Sequence, residues 1–303
     1  MSIEVDRLSN VDGWEACERL GLELLGGRPS PSLCRVQILR AIHDSGGLVL
    51  GAWDTSGVER VLVGALADLA GTFRGFPSFF SLFAAVLPRR RNAGIGLALR
   101  SIERAEALAV GVEVIRGWVD PLRSDESHVS LNRLGAVGVG YARNVFGELN
   151  DRPNVGLATD RVAIEWWIRS PRTEAALDRG RLMPHARLGL HQMAVITKTS
   201  PGPAGERTLV EVLGSVTGSL LLVEVPEYLD LLREAAPDEA RRWRVATREA
   251  FERLFAEGYL LVGLVHEAGR SFQLFERADA GTVLGRREVD APRDGAGSAK
   301  EGT

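Results

Sequence analysis

The stretch Ser78-Phe79-Phe80-Ser81-Leu82-Phe83-Ala84-Ala85-Val86-Leu87-Pro88-Arg89-Arg90-Arg91-Asn92-Ala93-Gly94-Ile95-Gly96, with its continuation to Val119, decides the fold. The first apolar run predicts a buried strand, and the glycine-bearing turn behind it opens a helix to about Val110. Ile95, Leu99, Ile102 and Ala109 share one face of that helix, while Arg100, Glu103, Arg104 and Glu106 stay polar. A second apolar run, residues 112–119, predicts another strand. The remaining chain is arranged around this strand, turn, helix and strand.

The turn carries the chemistry. A helix N-terminus leaves amide N–H groups unpaired and concentrates partial positive charge. Glycines at 94 and 96 let a ligand approach the backbone without a Cβ in the way, and three neighbouring arginines suit a pyrophosphate. Two familiar phosphate loops are excluded. A Walker loop requires Lys-Ser/Thr after its last glycine, where this chain has Leu97-Ala98. The dinucleotide fingerprint requires a third glycine, where this chain has Leu99. An ordinary helix start with solvated arginines is the alternative reading of the same residues.

The order Arg91-x-x-Gly94-x-Gly96 behind a strand ending Leu87-Pro88 resembles the acyl-CoA pyrophosphate loop of the GNAT N-acyltransferase superfamily. The resemblance implies that Val86, Leu87, Arg89, Arg91, Asn92, Ala93, Gly94, Ile95 and Gly96 hold an acyl-CoA, either acetyl-CoA or succinyl-CoA. It further implies that the two central strands splay apart. Free backbone groups around residues 83–87 would then hold the pantetheine arm and polarise the thioester carbonyl.

The flanking sequence agrees with that order. Residues 3–8 read as a strand, and Asn10 or Asp12 caps a helix to about Leu25, ended by Gly26-Gly27. After the turn Pro29-Ser30-Pro31, Ser32 caps a second helix to about Asp44. Residues 48–53 and 61–69 form a hairpin, and a turn over residues 71–77 leads into the organising strand. Beyond Val119, Asp120-Pro121-Leu122 stops the strand. A short helix over residues 127–134, a strand over 137–141, a loop over 145–160 and a strand over 161–168 follow. The phrases Trp118-Val119-Asp120-Pro121-Leu122, Asn132-Arg133-Leu134-Gly135-Ala136 and Glu165-Trp166-Trp167 resemble a GNAT branch with an extra C-terminal half. Some members of that branch look like N-succinyltransferases of amino acids.

The expected fold class is therefore α/β (α+β): a GNAT-type mixed central sheet flanked by helices, plus a smaller C-terminal α+β domain. Residues 1–170 form the acyl-CoA-binding domain, 171–190 a linker, 191–277 the C-terminal domain and 278–303 a disordered tail. In the C-terminal domain, residues 193–197 and 209–212 read as strands beside the turn Ser200-Pro201-Gly202-Pro203-Ala204-Gly205. Residues 220–225 form a clearer strand, 227–234 a short helix and 237–257 a long one. A hairpin around Glu267-Ala268-Gly269-Arg270 closes the domain, whose order echoes the first as a degenerate GNAT-like half would.

Composition bounds the function. The 303 residues are 45% hydrophobic and 25% charged with a net charge of −3, which points to a globular chain and away from nucleic acid. No apolar run approaches a membrane span, and Ile3-Glu4-Val5-Asp6-Arg7 lacks the apolar core of a signal peptide, so none is expected. Cys17 and Cys34 are too few for a disulfide framework, so the expected compartment is the cytoplasm. His185 and His191 lie in the linker and His266-Glu267 lacks a second histidine, so no metal is expected. The expected partner is a small-molecule amine, with a homodimer as one assembly.

Acyl transfer to an amine needs a proton donor for the thiolate and a base for the ammonium. By the resemblance, Tyr141 is the candidate acid; a half-buried strand aromatic is the alternative. Asp120 and Glu148 are candidate bases, although Asp120 also fits a strand-ending turn. Trp118 and His128 are candidate substrate contacts, and Glu165 fits a paired structural carboxylate. Arg241, Arg244 and Arg248 share a helix face that either holds a substrate carboxylate or is simply solvated, with Arg248 and Glu252 paired. No nucleophile elbow or reactive-cysteine signature is present, so direct attack is expected. The expected activity is acetyl or succinyl transfer from CoA to an amine, and the alternative is a non-catalytic acyl-CoA-binding module.

Overall fold

The structure, a computed structural model, describes residues 2–25, 34–178, 193–202, 207–214 and 217–285. Its first strand, β1 (Ile3–Arg7), precedes helix α1 (Val11–Leu24), whose Asn10 cap accepts a hydrogen bond from the Gly13 N–H. Helix α2 (Val36–Asp44) leads into the antiparallel strands β2 (Leu48–Asp54), β3 (Val61–Phe73) and β4 (Phe76–Val86). The helix stop at Gly26-Gly27, the turn at residues 29–31 and the Ser32 cap lie outside the described residues.

Residues 71–77 differ from their expected turn. Strand β3 runs on to Phe73, opposite Phe76, and only Arg74 (φ 49°) and Gly75 (φ 81°) make the turn. Two successive positive-φ residues match the right-handed twist of a hairpin, so the strands lengthen at the expense of the loop.

Helix α3 (Ile95–Ala109) and strand β5 (Val114–Val119) complete the organising unit. The buried stripe of α3 is Ile95, Leu99, Glu103 and Ala107, not the expected one containing Ile102, which is 37% exposed. Helix α4 (Ser124–Ser127) continues into a wider π turn over His128–Arg133, and then come β6 (Val137–Ala142) and β7 (Arg161–Trp167).

The segment read as a linker begins with helix α5 (Pro171–Leu177), because the Ser170 hydroxyl caps it and Pro171 stands at its start. Residues 179–192, and with them His185 and His191, lie outside the described residues. Strands β8 (Ala194–Val195), β9 (Thr197–Pro201), β10 (Arg207–Val212) and β11 (Leu220–Val225) follow. Then come α6 (Leu229–Ala235), α7 (Pro237–Ala256), β12 (Tyr259–Glu267), β13 (Arg270–Arg277) and α8 (Ala280–Leu284). Helix α8, capped by the Asp279 carboxylate, falls in the segment expected to be disordered; residues 286–303 lie outside the described residues.

One mixed sheet of 11 strands runs through both halves in the order β1-β2-β3-β4-β5-β7-β6-β12-β13-β11-β8. Most neighbours are antiparallel, while β4–β5 and β11–β8 are parallel. The halves join where β6 meets β12, at the single register pair Gly138–Leu261. Val119, Leu131 and Val162 of the first half pack in one cluster with Ile196, Phe251 and Leu261 of the second. Helix α7 buries Ala240, Trp243, Arg244, Thr247, Ala250, Phe251 and Leu254, a heptad-like stripe laid over this seam.

The seam depends on Gly138. A Cβ there would lie 2.8 Å from Leu261 Cβ and 2.8 Å from Val162 Cγ1, whereas one at Gly140 would meet nothing within 4 Å. Gly138→Val should cost about 1–3 kcal/mol by overpacking, and Gly140→Val should stay close to wild type. Urea unfolding checks this: the midpoint falls for the first variant only, with the slope unchanged.

Candidate active site

The site begins where two strands part. Strands β4 and β5 are paired in parallel from Ser78–Val114 to Ser81–Gly117, yet β4 continues to Val86 and β5 to Val119 without pairing. The cause lies on the other edge of β4. There Ser81 faces Asp68 and Phe83 faces Ala67, so Leu82 is an extra residue. Such a bulge bends the strand that carries it and increases its twist. Gly117 lets β5 lie close at the last paired position, since a Cβ there would come within 3.3 Å of the Ser81 carbonyl oxygen. Past that point the β5-facing edge of β4 has no strand partner, which is the splay that the resemblance implies.

The glycine-bearing turn forms the mouth on the β4 side. Leu87 is buried, and a short 3₁₀ turn over Pro88–Arg90 leads to Asn92 (φ 62°) and Gly94 (φ 79°). Gly94 is the N-cap of α3 and supplies no side-chain hydrogen bond, and the amides of Ile95, Gly96 and Leu97 have no partner among the described residues. A Cβ at Gly94 would meet nothing within 4 Å and one at Gly96 only Val86 Cγ2 at 4.0 Å, so no side chain crowds the backbone there. The arginines divide. Arg89 pairs with Glu23 and Arg90 with Asp54 at 2.6 Å, while exposed Arg91 makes no ion pair or hydrogen bond among the described residues. Val86, Ala93 and the rest of the turn are thus gathered at one opening.

Below the parting lies a buried charged group that the sequence reading missed. Arg100 Nη1 donates to Glu103 at 2.7 and 2.8 Å and to Ser81 Oγ at 3.1 Å. Asp68 is buried against this group; burial first, then the charge of Glu103, pushes its carboxyl well above the ordinary range. No periodicity marks Asp68 as inward, because it sits at the register shift.

The β5 side of the mouth is dominated by arginines from the second half. Asp120 is 4% exposed. Arg244 Nη2 donates to its two oxygens at 2.8 and 2.7 Å, Arg161 Nη1 lies 3.5 Å away, and the Leu122 N–H donates at 3.0 Å. Burial alone would raise its carboxyl, but Arg244 and then Arg161 outweigh that and hold it below the ordinary value. Tyr141 donates its hydroxyl to Asp160 at 2.7 Å, and Arg248 donates to the same carboxylate at 2.7 and 3.1 Å. Burial, then Asp160, raises the Tyr141 hydroxyl pKa far beyond the phenol range. Asp120 and Tyr141 are therefore each engaged, Asp120 by Arg244 and Tyr141 by the Asp160 carboxylate that Arg248 also holds.

The other expected site residues lie apart. Glu148 is exposed in the loop between β6 and β7, with no ion pair or hydrogen bond among the described residues. Trp118 is half-buried on β5 opposite Ala163. His128 is exposed near Asn132, whose side chain makes two bonds to the Leu264 backbone of the second half, at 2.7 and 2.9 Å. Glu165 is buried and accepts from Trp167 Nε1 at 2.9 Å, the structural role that its apolar strand allows.

Glu126 is a candidate that the sequence reading passed over. One of its oxygens lies 3.4 Å from the Asp120 N–H at the strand end. Crowding by the chain raises its carboxyl, with Asp125 and Asp120 adding to the rise and Arg123 opposing it. The side chain nevertheless keeps 47% exposure, so it remains reachable. Its only sequence signal is a place in the run Ser124-Asp125-Glu126, which reads equally well as a helix start. Among the described residues, no group of three or more His, Cys, Asp or Glu is placed to hold a metal ion, and no helix is long and apolar enough to cross a membrane.

No family model and no curated protein matches the chain. Among solved structures, the chain resembles GNAT acetyltransferases. An IAA acetyltransferase from Bacillus cereus is 14% identical with a TM-score of 0.39, covering 54% of this chain and 98% of its own. A GNAT-family acetyltransferase from Streptococcus pneumoniae is 13% identical with a TM-score of 0.43, covering 54% and 98%. The NatC complex bound to Gag peptide and CoA is 16% identical with a TM-score of 0.42, covering 55% and 98%. These likenesses are too distant to assign an activity, and the site described above stands on the chain's own geometry.

The Asp120–Arg244 pair is testable as a fastening. Arg244→Met leaves a buried carboxylate short of its main partner and should cost about 3–5 kcal/mol, most of it recovered in Asp120→Leu/Arg244→Met. The pH dependence has a definite sign. A carboxyl depressed in the folded state contributes stability that is present above its ordinary value of 3.8 and is lost as pH falls through the depressed value. Denaturant titrations between pH 7 and pH 2 should show a shallower acid loss in the double variant than in wild type.

Proposed function

We propose that the chain is an acyl-CoA-dependent N-acyltransferase that moves an acetyl or succinyl group from CoA to the amine of a small molecule. The observation that carries this reading is the parting of β4 and β5 beyond Ser81 and Gly117, beside the uncapped amides of α3. An extended thioester arm needs backbone groups with no strand partner, and a pyrophosphate needs free amides and a free cation. Both needs are met within one opening.

In this reading Arg91 and the amides of Ile95 and Gly96 hold the pyrophosphate. The free edge over residues 82–86 orients the arm and polarises the carbonyl. The amine attacks the carbonyl carbon directly, and the CoA thiolate leaves from the collapsing tetrahedral adduct. Glu126, 47% exposed and with an oxygen 3.4 Å from the Asp120 N–H at the strand end, is the acceptor for the ammonium proton in this reading, directly or through a water, with Glu148 as the alternative. Tyr141 serves as the acid only if its hydroxyl turns away from Asp160. The residues thus support donor binding more fully than proton transfer.

A second reading is favoured by one specific observation. Asp120 and Tyr141 are both engaged by arginine-held ionic networks from α7. A chain that holds acyl-CoA without turnover would tolerate that engagement at no cost to function.

Free-thiol release separates the two readings. Acetyl-CoA and succinyl-CoA are offered with a panel of D- and L-amino acids and simple amines. Amine-dependent release is expected, and Gly94→Glu should abolish it, because a carboxylate then meets the pyrophosphate at a residue with φ of 79°. CoA binding by calorimetry without release from any pair would favour the non-catalytic reading; no binding at all would refute both.

A further inference from the structure

A basic cleft lies between the two halves, lined by none of the residues of the glycine-bearing turn. Its volume is 290 Å³, and its walls include Arg152 and Gly156 from the loop before β7 and Arg233, Glu234, Pro237 and Arg241 from α6 and α7. The lining thus includes three arginines and Glu234, and two of the arginines are paired outside the lining, Arg233 with Asp230 and Arg241 with Asp238. Arg233 is the informative one: its side chain is 9% exposed, Nη2 donates to Asp230 at 3.3 Å, and Nη1 is buried without any acceptor. A buried charged donor is normally satisfied, and because Arg233 belongs to the lining, a small turn of its guanidinium would offer this unfilled one to an oxygen that a ligand brings. Arg152 is exposed and makes no ion pair or hydrogen bond among the described residues, and Arg241 is tied only to exposed Asp238. Gly156, at φ 81°, keeps the wall low, because a Cβ there would reach Arg241 Nη1 at 4.0 Å.

The cleft is fastened to the mouth of the proposed active site. Asp230, the partner of Arg233, accepts from Arg123 at 2.8 and 3.1 Å, and Arg123 also donates to the Pro153 carbonyl at 3.1 Å. Arg123 follows Asp120-Pro121-Leu122 directly at the end of β5, and Arg161 beside Asp120 donates to Asn154 Oδ1 at 2.6 Å. Both walls are thus held in register with the strand end at which an amine would meet the acyl group.

Building on the transferase reading, we propose that this cleft binds the acidic group of the acceptor, so that the substrate is an amine carrying a carboxylate or phosphate. Glu234 sets a limit on the charge balance and favours a compact oxyanion held on the Arg152, Arg233 and Arg241 side.

The test uses the full chain and the variant Arg152→Gln/Arg241→Gln, both exposed positions, with circular dichroism to confirm folding. Calorimetry with inorganic phosphate should show binding to wild type that weakens about tenfold or more in the variant, the scale of losing charge-assisted bonds. Thiol-release kinetics with an amino acid and its carboxamide should show KM for the acid rising about tenfold in the variant, with KM for the amide moving far less. Absence of phosphate binding to wild type, or equal binding to the variant, overturns the proposal. So does a variant that weakens CoA while leaving dephospho-CoA unchanged, because the cleft would then serve the donor. If no amine is turned over at all, the acceptor assignment falls with the transferase reading, and phosphate calorimetry still reports whether the cleft is an anion site.

Discussion

The structure depends on a strand that cannot satisfy both of its neighbours along its whole length. Strand β4 keeps its ladder with β3 by accommodating Leu82 as an extra residue, and the bend that results releases β5 after Ser81. Everything at the candidate site follows from that release. It frees an edge of polar backbone in the middle of the sheet, where an unpaired edge would otherwise be costly. It also swings the end of β4 toward the start of α3, so that the free edge and the uncapped amides open on the same side. Asp68 and Ser81, facing each other at the register shift, are joined through Arg100 and Glu103 into a buried polar group beneath the opening.

The second half acts on the first chiefly through charge. Arg244 and Arg248 of α7 reach across to Asp120 and Asp160, and Arg123 of the first half reaches back to Asp230. Buried pairs of this kind contribute little net stability compared with apolar packing, but they strongly disfavour arrangements in which one partner is left alone. They therefore select how α7 sits on the strand ends more than they strengthen its seat, which the apolar stripe around Trp243 and Phe251 already provides. The same arginines fix the protonation state of the carboxylates at the mouth, so the seam and the chemistry of the opening are physically one system.

Much of this was legible in the sequence where the signal is local. Apolar runs bounded by Gly, Pro and Asp gave the strands of the first half, Asn10 gave its cap, and the glycines at 94 and 96 marked the open turn. The hairpin around Ala268 and Gly269 was equally plain. What stayed hidden is set by distant partners. Arg241, Arg244 and Arg248 share a face by spacing, yet only their neighbours decide that Arg244 is buried while Arg241 is 52% exposed. Arg248 resembles a partner for Glu252 at one helical turn, but Asp160 takes Arg248, and Arg143 takes Glu252. The inward turn of Glu103, which displaced Ile102 from the expected face, has the same origin: its partner Arg100, one turn earlier on α3, is held against the sheet by Ser81 of β4 beside Asp68 of β3.

The Gly138–Leu261 junction carries a consequence for how the chain is made. Strand β6 is the outermost strand of the first half's sheet, added beside β7 once that later strand is made, and its free edge is closed by β12 only after all of α7 has been synthesised. An uncovered edge of Val137-Gly138-Val139-Gly140 is short of side chains and free of charge, features that invite pairing with another chain, although the register shift at residues 138–140 adds twist. During synthesis the protein is therefore most vulnerable at an edge that the finished molecule does not expose. Slowing elongation downstream of β6, or truncating the chain before β12, acts on that window and leaves the first half's own core intact.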